Sequence, residues 1–137
     1  MDFRIVDQID EKDEREIFEA LKAYNLSLIE DTNFKDLGIY LEDENGKKIA
    51  GMIAETHGNW LSVHYLWVDE SMRGKRIGEK ILHIAEEEAK RRGCKYAFLD
   101  TFSFQAPGFY TKYGYKEVFV LEEYPLTGKR YYYTKTL

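Results

Sequence analysis

The stretch Leu66–Arg92 constrains the fold of this chain more than any other. An apolar strand end is followed by a short loop with two glycines and three cations, and the loop leads directly into a segment of helical periodicity. Backbone N–H groups in the first turn of a helix have no intrahelical partner, and the helix dipole adds about half a positive charge there. Arg73, Lys75 and Arg76 add full charges. The junction therefore predicts a binding site for an anionic group such as a phosphate.

Length and charge limit the class of protein. A chain of 137 residues is large enough for one domain, and we expect a single domain over residues 1–137. The net charge of −5 argues against nucleic acid or an acidic membrane as the main partner. The first residues lack a signal-peptide core, and no apolar run is long enough to span a membrane. The single cysteine, Cys94, fits a reducing compartment, so we expect a cytoplasmic protein.

The first half of the chain predicts a strand, a helix and an antiparallel meander. The strand is Phe3–Asp7, and the apolar spacing after Asp10 predicts an amphipathic helix to Leu28, followed by a loop or a broken helix. Asn45-Gly46 is a strong hairpin signal. Three further strands are expected at Leu37–Leu41, Lys48–Thr56 and Trp60–Val68. Alternation places Gly51, Ile53 and Glu55 on one face, and Ser62, His64, Leu66 and Val68 on one face of the next strand, unless a bulge shifts the register.

The second half predicts a parallel crossover. The helix from Ile77 has its apolar residues at Ile77, Ile81, Ile84, Ala85 and Ala89, and the pairs Glu86–Lys90, Glu87–Arg91 and Glu88–Arg92 are placed on or beside its exposed side. The apolar run Tyr96–Phe102 is typical of a central strand. A short helix at Pro107–Tyr113 and strands at Lys116–Leu121 and Arg130–Thr136 follow. The fold class is α/β, with a mixed sheet of about seven mostly antiparallel strands, a central parallel pair and flanking helices.

Two motifs in this order carry a resemblance to a known family. The first is Arg73-Gly74-Lys75-Arg76-Ile77-Gly78, and the second is Ala106-Pro107-Gly108-Phe109-Tyr110-Thr111-Lys112-Tyr113-Gly114-Tyr115. Together they resemble the GNAT family, the Gcn5-related N-acetyltransferases, whose motifs are Gln/Arg-x-x-Gly-x-Gly/Ala and Ala-x-x-Phe-Tyr-x-x-x-Gly-Phe/Tyr. The chain departs from the family pattern at Arg76, where a glycine is usual, and at Ser103, where asparagine is frequent. The resemblance implies the acyl-CoA N-acyltransferase fold.

The resemblance also implies a cosubstrate and a set of residues that bind it. The cosubstrate is acetyl-CoA, and no metal is expected. The residues that match the cofactor-binding positions of the family are Leu66, Trp67, Val68, Arg73, Gly74, Lys75, Arg76, Ile77, Gly78, Ser103, Phe109, Tyr110 and Lys112. Tyr110 matches the tyrosine that the family places beside the CoA sulfur. It is therefore the candidate general acid, or at least a hydrogen-bond donor, for the departing thiolate.

The acceptor implied by the resemblance is a primary amine. An alkylamine has a pKa of about 10, so only about one molecule in a thousand is neutral at pH 7, and a base is useful. Glu55 and His64 are the candidates, because they lie on strands expected to border the acetyl group. The family stabilises the oxyanion with a main-chain N–H near the end of the strand that carries Leu66–Val68. We therefore expect acetyl transfer by direct attack in a ternary complex.

Several alternatives remain open from the sequence. The acceptor could be a small molecule or a protein lysine or N-terminus, and acidic and aromatic residues that could attract it are Glu30, Asp31, Glu55, Trp60, Tyr65 and Phe102. A non-catalytic module that binds CoA or a protein partner is the alternative function. Tyr131-Tyr132-Tyr133, on a closing strand, would make a reasonable edge for a homodimer.

Overall fold

A computed structural model describes residues 1–30 and 33–137 of the chain. Its contacts define two compact units, and the second begins at Asn33. The first unit contains helix α1, Glu11–Leu26, whose N-cap Asp10 accepts a hydrogen bond from the Lys12 backbone N–H at 2.9 Å. The strand predicted at Phe3–Asp7 is absent, because that segment forms no backbone hydrogen-bond ladder with any described residue. Asp31, an expected acceptor-side residue, lies outside the described residues.

The second unit contains a six-stranded sheet and two helices. The strands are β1 (Phe34–Glu42), β2 (Lys48–His57), β3 (Trp60–Val68), β4 (Tyr96–Phe102), β5 (Lys116–Leu121) and β6 (Arg130–Thr136), and the helices are α2 (Ile77–Arg91) and α3 (Pro107–Lys112). Their order in the sheet is β1-β2-β3-β4-β6-β5. The mixed sheet is confirmed with six strands instead of about seven, and the missing strand is the one predicted at the N-terminus.

The parallel crossover β3–α2–β4 positions the candidate site. β3 and β4 are parallel, as predicted, but their pairing covers only residues 60–62 of β3 and 96–98 of β4. The other strand pairs are antiparallel. Beyond Ser62 and Phe98 the two central strands therefore separate. The resulting gap opens toward the carboxyl end of β3, where the chain turns into α2.

A β-bulge in β3 changes the predicted face of that strand. Ile53 lies opposite Tyr65 and Ala54 lies opposite Val63, so His64 is the extra residue. One inserted residue moves every later side chain to the other face. Leu66 and Val68 consequently pack against the core and do not share a face with Ser62, which is the exception that the prediction made for a bulge.

Helix α2 covers one face of the sheet and departs from the predicted pattern at two side chains and in one ion pair, since Glu87 pairs with Lys90 at 3.1 Å instead of with Arg91. Its buried residues are Ile81, Leu82, Ala85, Glu86 and Ala89. Ile84 is 54% exposed, because it follows Leu82 by two positions and therefore lies about 200° around the helix. Glu86 is only 4% exposed, so its predicted solvent-side pairing with Lys90 was wrong. The pair Glu88–Arg92 was correct, with 2.9 Å between Arg92 Nε and Glu88 Oε2.

Strand β6 lies inside the sheet. It pairs with β4 on one side and with β5 on the other, so Tyr131–Tyr133 cannot form the sheet edge expected for a homodimer. The strand at that edge is β5. Within the part of the chain that the structure describes, no helix has the length and apolar character needed to cross a membrane.

Candidate active site

The cationic loop is built on a short turn after β3. The Asp69 carboxylate accepts hydrogen bonds from the backbone and side chain of Ser71, and these bonds lower the pKa of Asp69. Gly74 then adopts φ +81°, with open space where a Cβ would stand. Arg73, Lys75 and Arg76 are all exposed. The loop therefore presents three cations to solvent at the start of α2.

Arg76 occupies an unusual position at the N-terminus of α2. It is the N-cap residue, its φ of 59° is left-handed, and its side chain makes no capping hydrogen bond. A left-handed conformation costs an L-residue other than glycine about 1–2 kcal/mol. Arg76 thus keeps the backbone conformation that a glycine would adopt easily. The first-turn N–H groups of α2 are left without a side-chain acceptor from the N-cap, which suits an anionic ligand.

Gly78 brings α3 close to the start of α2. A Cβ at this position would lie 3.3 Å from Phe109 Cζ and 3.8 Å from Val68 Cγ2. The absent side chain therefore makes room for the Phe109 ring. Because Phe109 directly precedes Tyr110, this packing brings the second motif next to the first. The structure thus joins the two predicted segments.

Tyr110 is half-buried among aromatic rings. Its ring contacts Phe109 at 5.1 Å and Tyr115 at 5.8 Å between centroids, both edge to face. Burial, with a smaller contribution from the negative charge of Asp100, raises the pKa of Tyr110 to about 12. The hydroxyl group therefore remains protonated throughout the neutral and mildly alkaline range. It can act as a proton donor.

An ion pair that the sequence did not predict lies close enough to influence Tyr110. Arg130 Nε donates to Asp100 Oδ2 at 2.8 Å, and Arg130 Nη1 donates to the Tyr124 hydroxyl at 3.2 Å. The guanidinium also lies 5.4 Å from the ring centroids of Phe102, Tyr124 and Tyr132. The only sequence feature that could have indicated this ion pair was Asp100, the single carboxylate within the apolar run Tyr96–Phe102.

Asp100→Asn tests the electrostatic influence on Tyr110. We expect the pKa of Tyr110 to fall from about 12, because a negative charge is removed and the guanidinium of Arg130 loses its counterion. The measurement is the ultraviolet titration of phenolate, recorded as the difference between each protein and its Tyr110→Phe derivative. An unchanged or higher pKa of Tyr110 in Asp100→Asn would contradict the electrostatic influence of Asp100.

The two candidate bases are close together. His64 Nε2 lies 3.7 Å from Glu55 Oε1, with His64 at the bulge of β3 and Glu55 on β2. The register pairs Glu55 with Ser62, and Ser62 with Phe98, so Glu55 shares a sheet face with Phe98 and Asp100. Two carboxylates and a histidine therefore lie on the sheet face where β3 and β4 separate.

The remaining expected residues lie on β3, on α3 and in the loop after β4. Trp67 is 48% exposed on β3, while Leu66 and Val68 are half-buried. Ser103 Oγ accepts a hydrogen bond from the Lys129 backbone N–H at 3.1 Å, which ties the loop after β4 to the loop before β6. Lys112 is exposed on α3. The structure thus brings the loop, Phe109 and Tyr110 together, and it uses Ser103 to connect two loops.

The fold and these motifs define a class of protein. The profile of the acetyltransferase (GNAT) family matches residues 4–115, and the chain belongs to this family. It is 36% identical over 118 residues to the acetyltransferase Atu2258 of Agrobacterium fabrum, covering 86% of each chain. It is also 36% identical over 87 residues to the blasticidin-S acetyltransferase of Streptomyces morookaense, covering 63% of this chain and 64% of that protein. A crystal structure of a candidate acetyltransferase from Agrobacterium tumefaciens superimposes with a TM-score of 0.93, at 34% identity over the full length of both chains.

Proposed function

We propose that this chain is an acetyl-CoA-dependent N-acetyltransferase that acts on a primary amine by direct attack in a ternary complex. The observation that carries the proposal is the position of Tyr110. Within a GNAT acetyltransferase, a half-buried and protonated tyrosine follows Phe109, which packs against the start of the helix behind the cationic loop. This packing fixes the position of a candidate phosphate-binding loop relative to a candidate proton donor, the Tyr110 hydroxyl.

The residues around the gap fit acetyl-CoA. Its diphosphate would meet Arg73, Lys75, Arg76 and the N-terminal N–H groups of α2, where the N-cap side chain supplies no competing acceptor. Its pantetheine arm would follow the β3 segment Leu66–Val68, where pairing with β4 has ended and main-chain groups are available for a ligand. When bound, acetyl-CoA supplies an acetyl group as a thioester and leaves as a thiolate.

Tyr110 would provide the proton for the leaving group. Its raised pKa of about 12 keeps the hydroxyl protonated, and a thiolate is the form that must accept the proton. Tyr110 is therefore already in the protonated form that its role as proton donor requires. Main-chain N–H groups near the end of β3 would stabilise negative charge on the carbonyl oxygen.

Glu55 and His64 would remove the proton from the attacking amine. The distance of 3.7 Å between Glu55 Oε1 and His64 Nε2 allows the two groups to act as one unit, directly or through a water molecule. The negative charge of Glu55 on this sheet face also favours an ammonium-bearing acceptor over an acidic one, whereas the charge of Asp100 is compensated by Arg130.

Glu55→Gln and His64→Gln test this role through the pH dependence. We expect kcat/KM to fall about tenfold at pH 7 for each variant, because a general base contributes at least this much. The loss should shrink near pH 10, where about half of an alkylamine is already neutral. The assay follows release of the CoA thiol, and Glu42→Gln on β1 is the matched control. A loss that is equal at both pH values would assign these residues to binding only.

The acceptor is tested with a panel of amines. The similarity to a blasticidin-S acetyltransferase favours a small-molecule acceptor, so diamines, aminoglycosides, aminonucleosides and amino-acid amides precede lysine peptides and peptides with free N-termini. We expect thiol release with at least one class, abolished by acetylating the amine beforehand. Tight acetyl-CoA binding without turnover on any amine would contradict the proposed function and favour a non-catalytic CoA-binding module.

A further inference from the structure

We infer that Glu86 is a positioning residue for Tyr110 and acts through Tyr115. The inference rests on the proposed function and deepens it, because it assigns a role to Glu86, which lies outside the two motifs, and to Tyr115, the last residue of the second motif. It follows from one buried cluster that joins α2, β6 and the segment after α3. Each step of the connection is a direct contact.

Glu86 is a buried carboxylate with two hydrogen-bond partners, and His83 Nδ1 lies 3.8 Å from its Oε1. Glu86 is 4% exposed, and it accepts a hydrogen bond from the Tyr115 hydroxyl on Oε2 at 2.8 Å and one from Lys135 Nζ on Oε1 at 2.9 Å. Lys135 Nζ also lies 5.5 Å from the centroid of the Tyr115 ring. A buried carboxylate is costly unless it is paired and hydrogen-bonded, so this arrangement fixes all three side chains together.

Tyr115 connects this cluster to Tyr110 in two ways. Its backbone N–H donates to the carbonyl oxygen of Tyr110 at 3.2 Å, which closes the C-terminal end of α3. Its ring contacts the Tyr110 ring edge to face, at 5.8 Å and 71°. Burial, together with the Glu86 carboxylate, raises the pKa of Tyr115, so its hydroxyl remains a donor.

Helix α3 needs such an anchor. It has only six residues, Pro107–Lys112, and its N-cap Ala106 makes no side-chain capping bond, while its C-cap is closed by backbone bonds from Tyr113. A helix of this length has little stability of its own in water. The orientation of Tyr110 must therefore be set by contacts from outside α3. Phe109 supplies one contact at the start of α2, and the Tyr133 ring on β6 lies 6.1 Å from the Tyr110 ring. Tyr115, held by Glu86, supplies a further contact.

Tyr115→Phe and Glu86→Gln test the inference in a double-mutant cycle with Tyr110→Phe. Each variant alone is expected to lower kcat about tenfold with the KM for acetyl-CoA changed less than twofold, because small displacements of a catalytic group are costly. In the Tyr110→Phe background the same changes should cost less than twofold. Tyr96→Phe is the control, since this tyrosine lies at the start of β4 and its ring contacts Trp60 instead. A tenfold loss that persists without the Tyr110 hydroxyl would overturn the inference.

A second readout is independent of turnover. With 3-fluorotyrosine at position 110, Tyr115→Phe and Glu86→Gln should each shift or broaden the fluorine resonance, and Tyr96→Phe should not. An unchanged resonance in both variants would overturn the positioning role, whether or not the protein transfers acetyl groups. If the amine panel gives no turnover while the resonance still moves, the proposed function fails and the coupling of Glu86 to Tyr110 stands.

Discussion

Tyr110→Phe is expected to lower kcat by about a hundredfold or more while acetyl-CoA binding changes less than threefold. The variant removes only the hydroxyl group, and a positioned general acid commonly contributes 10²–10⁴-fold, a range of about 3–5 kcal/mol in the barrier. The aromatic contacts with Phe109 and Tyr115 involve the ring and are retained. The effect should therefore appear in kcat and spare the affinity for the cosubstrate.

The measurement combines steady-state kinetics with calorimetric titration of acetyl-CoA. Tyr131→Phe on β6 is a suitable control, because it removes a tyrosine hydroxyl from another part of the same unit. A thioester with a more acidic leaving thiol should reduce the loss in Tyr110→Phe, since the departing group then needs less help from a proton donor. If kcat falls less than threefold with acetyl-CoA, Tyr110 is not the general acid and a water molecule must take that role.

The elements around the site could be predicted because their signals are local. Gly93, which adopts φ +95°, marks the end of α2, and the apolar run Tyr96–Phe102 coincides with β4. The residues of the first motif could also be placed correctly, since a strand followed by a short loop and a helix leaves few positions for the loop. The bulge at His64 had no such signal, because one inserted residue leaves the apolar pattern of β3 readable in either register.

The buried polar residues could not be predicted for a different reason. Glu86 follows a typical helical spacing for an ion pair with Lys90, yet its partner Lys135 is 49 residues away in sequence. Asp100 pairs with Arg130 across two neighbouring strands, 30 residues apart. Such contacts depend on the final packing of β6 against β4. Only a charged residue at an otherwise apolar position, as at Asp100, hints at them beforehand.

Replacing Arg73 and Arg76 together with alanine is expected to raise the Kd for acetyl-CoA about a hundredfold. Each guanidinium is exposed in the loop and can make a charge-assisted hydrogen bond to a phosphate, worth about 1.5–3 kcal/mol. Two such losses give at least about 3 kcal/mol, or a factor of about a hundred. The loss should be much smaller for an acetyl thioester that lacks the nucleotide, and titration at two salt concentrations would separate specific contacts from general attraction.

Arg76 allows the charge to be separated from the backbone conformation. Arg76→Gly and Arg76→Ala both remove the guanidinium, but only glycine adopts φ 59° without strain. Arg76→Gly should therefore be more stable than Arg76→Ala by about 1 kcal/mol in the free energy of unfolding, measured by denaturant titration. We expect both variants to bind acetyl-CoA about tenfold more weakly, because each loses the guanidinium that contacts the phosphates. If Arg76→Gly binds as well as the unaltered chain, the left-handed backbone matters, the positive charge does not, and the contribution of Arg76 to the hundredfold loss is contradicted.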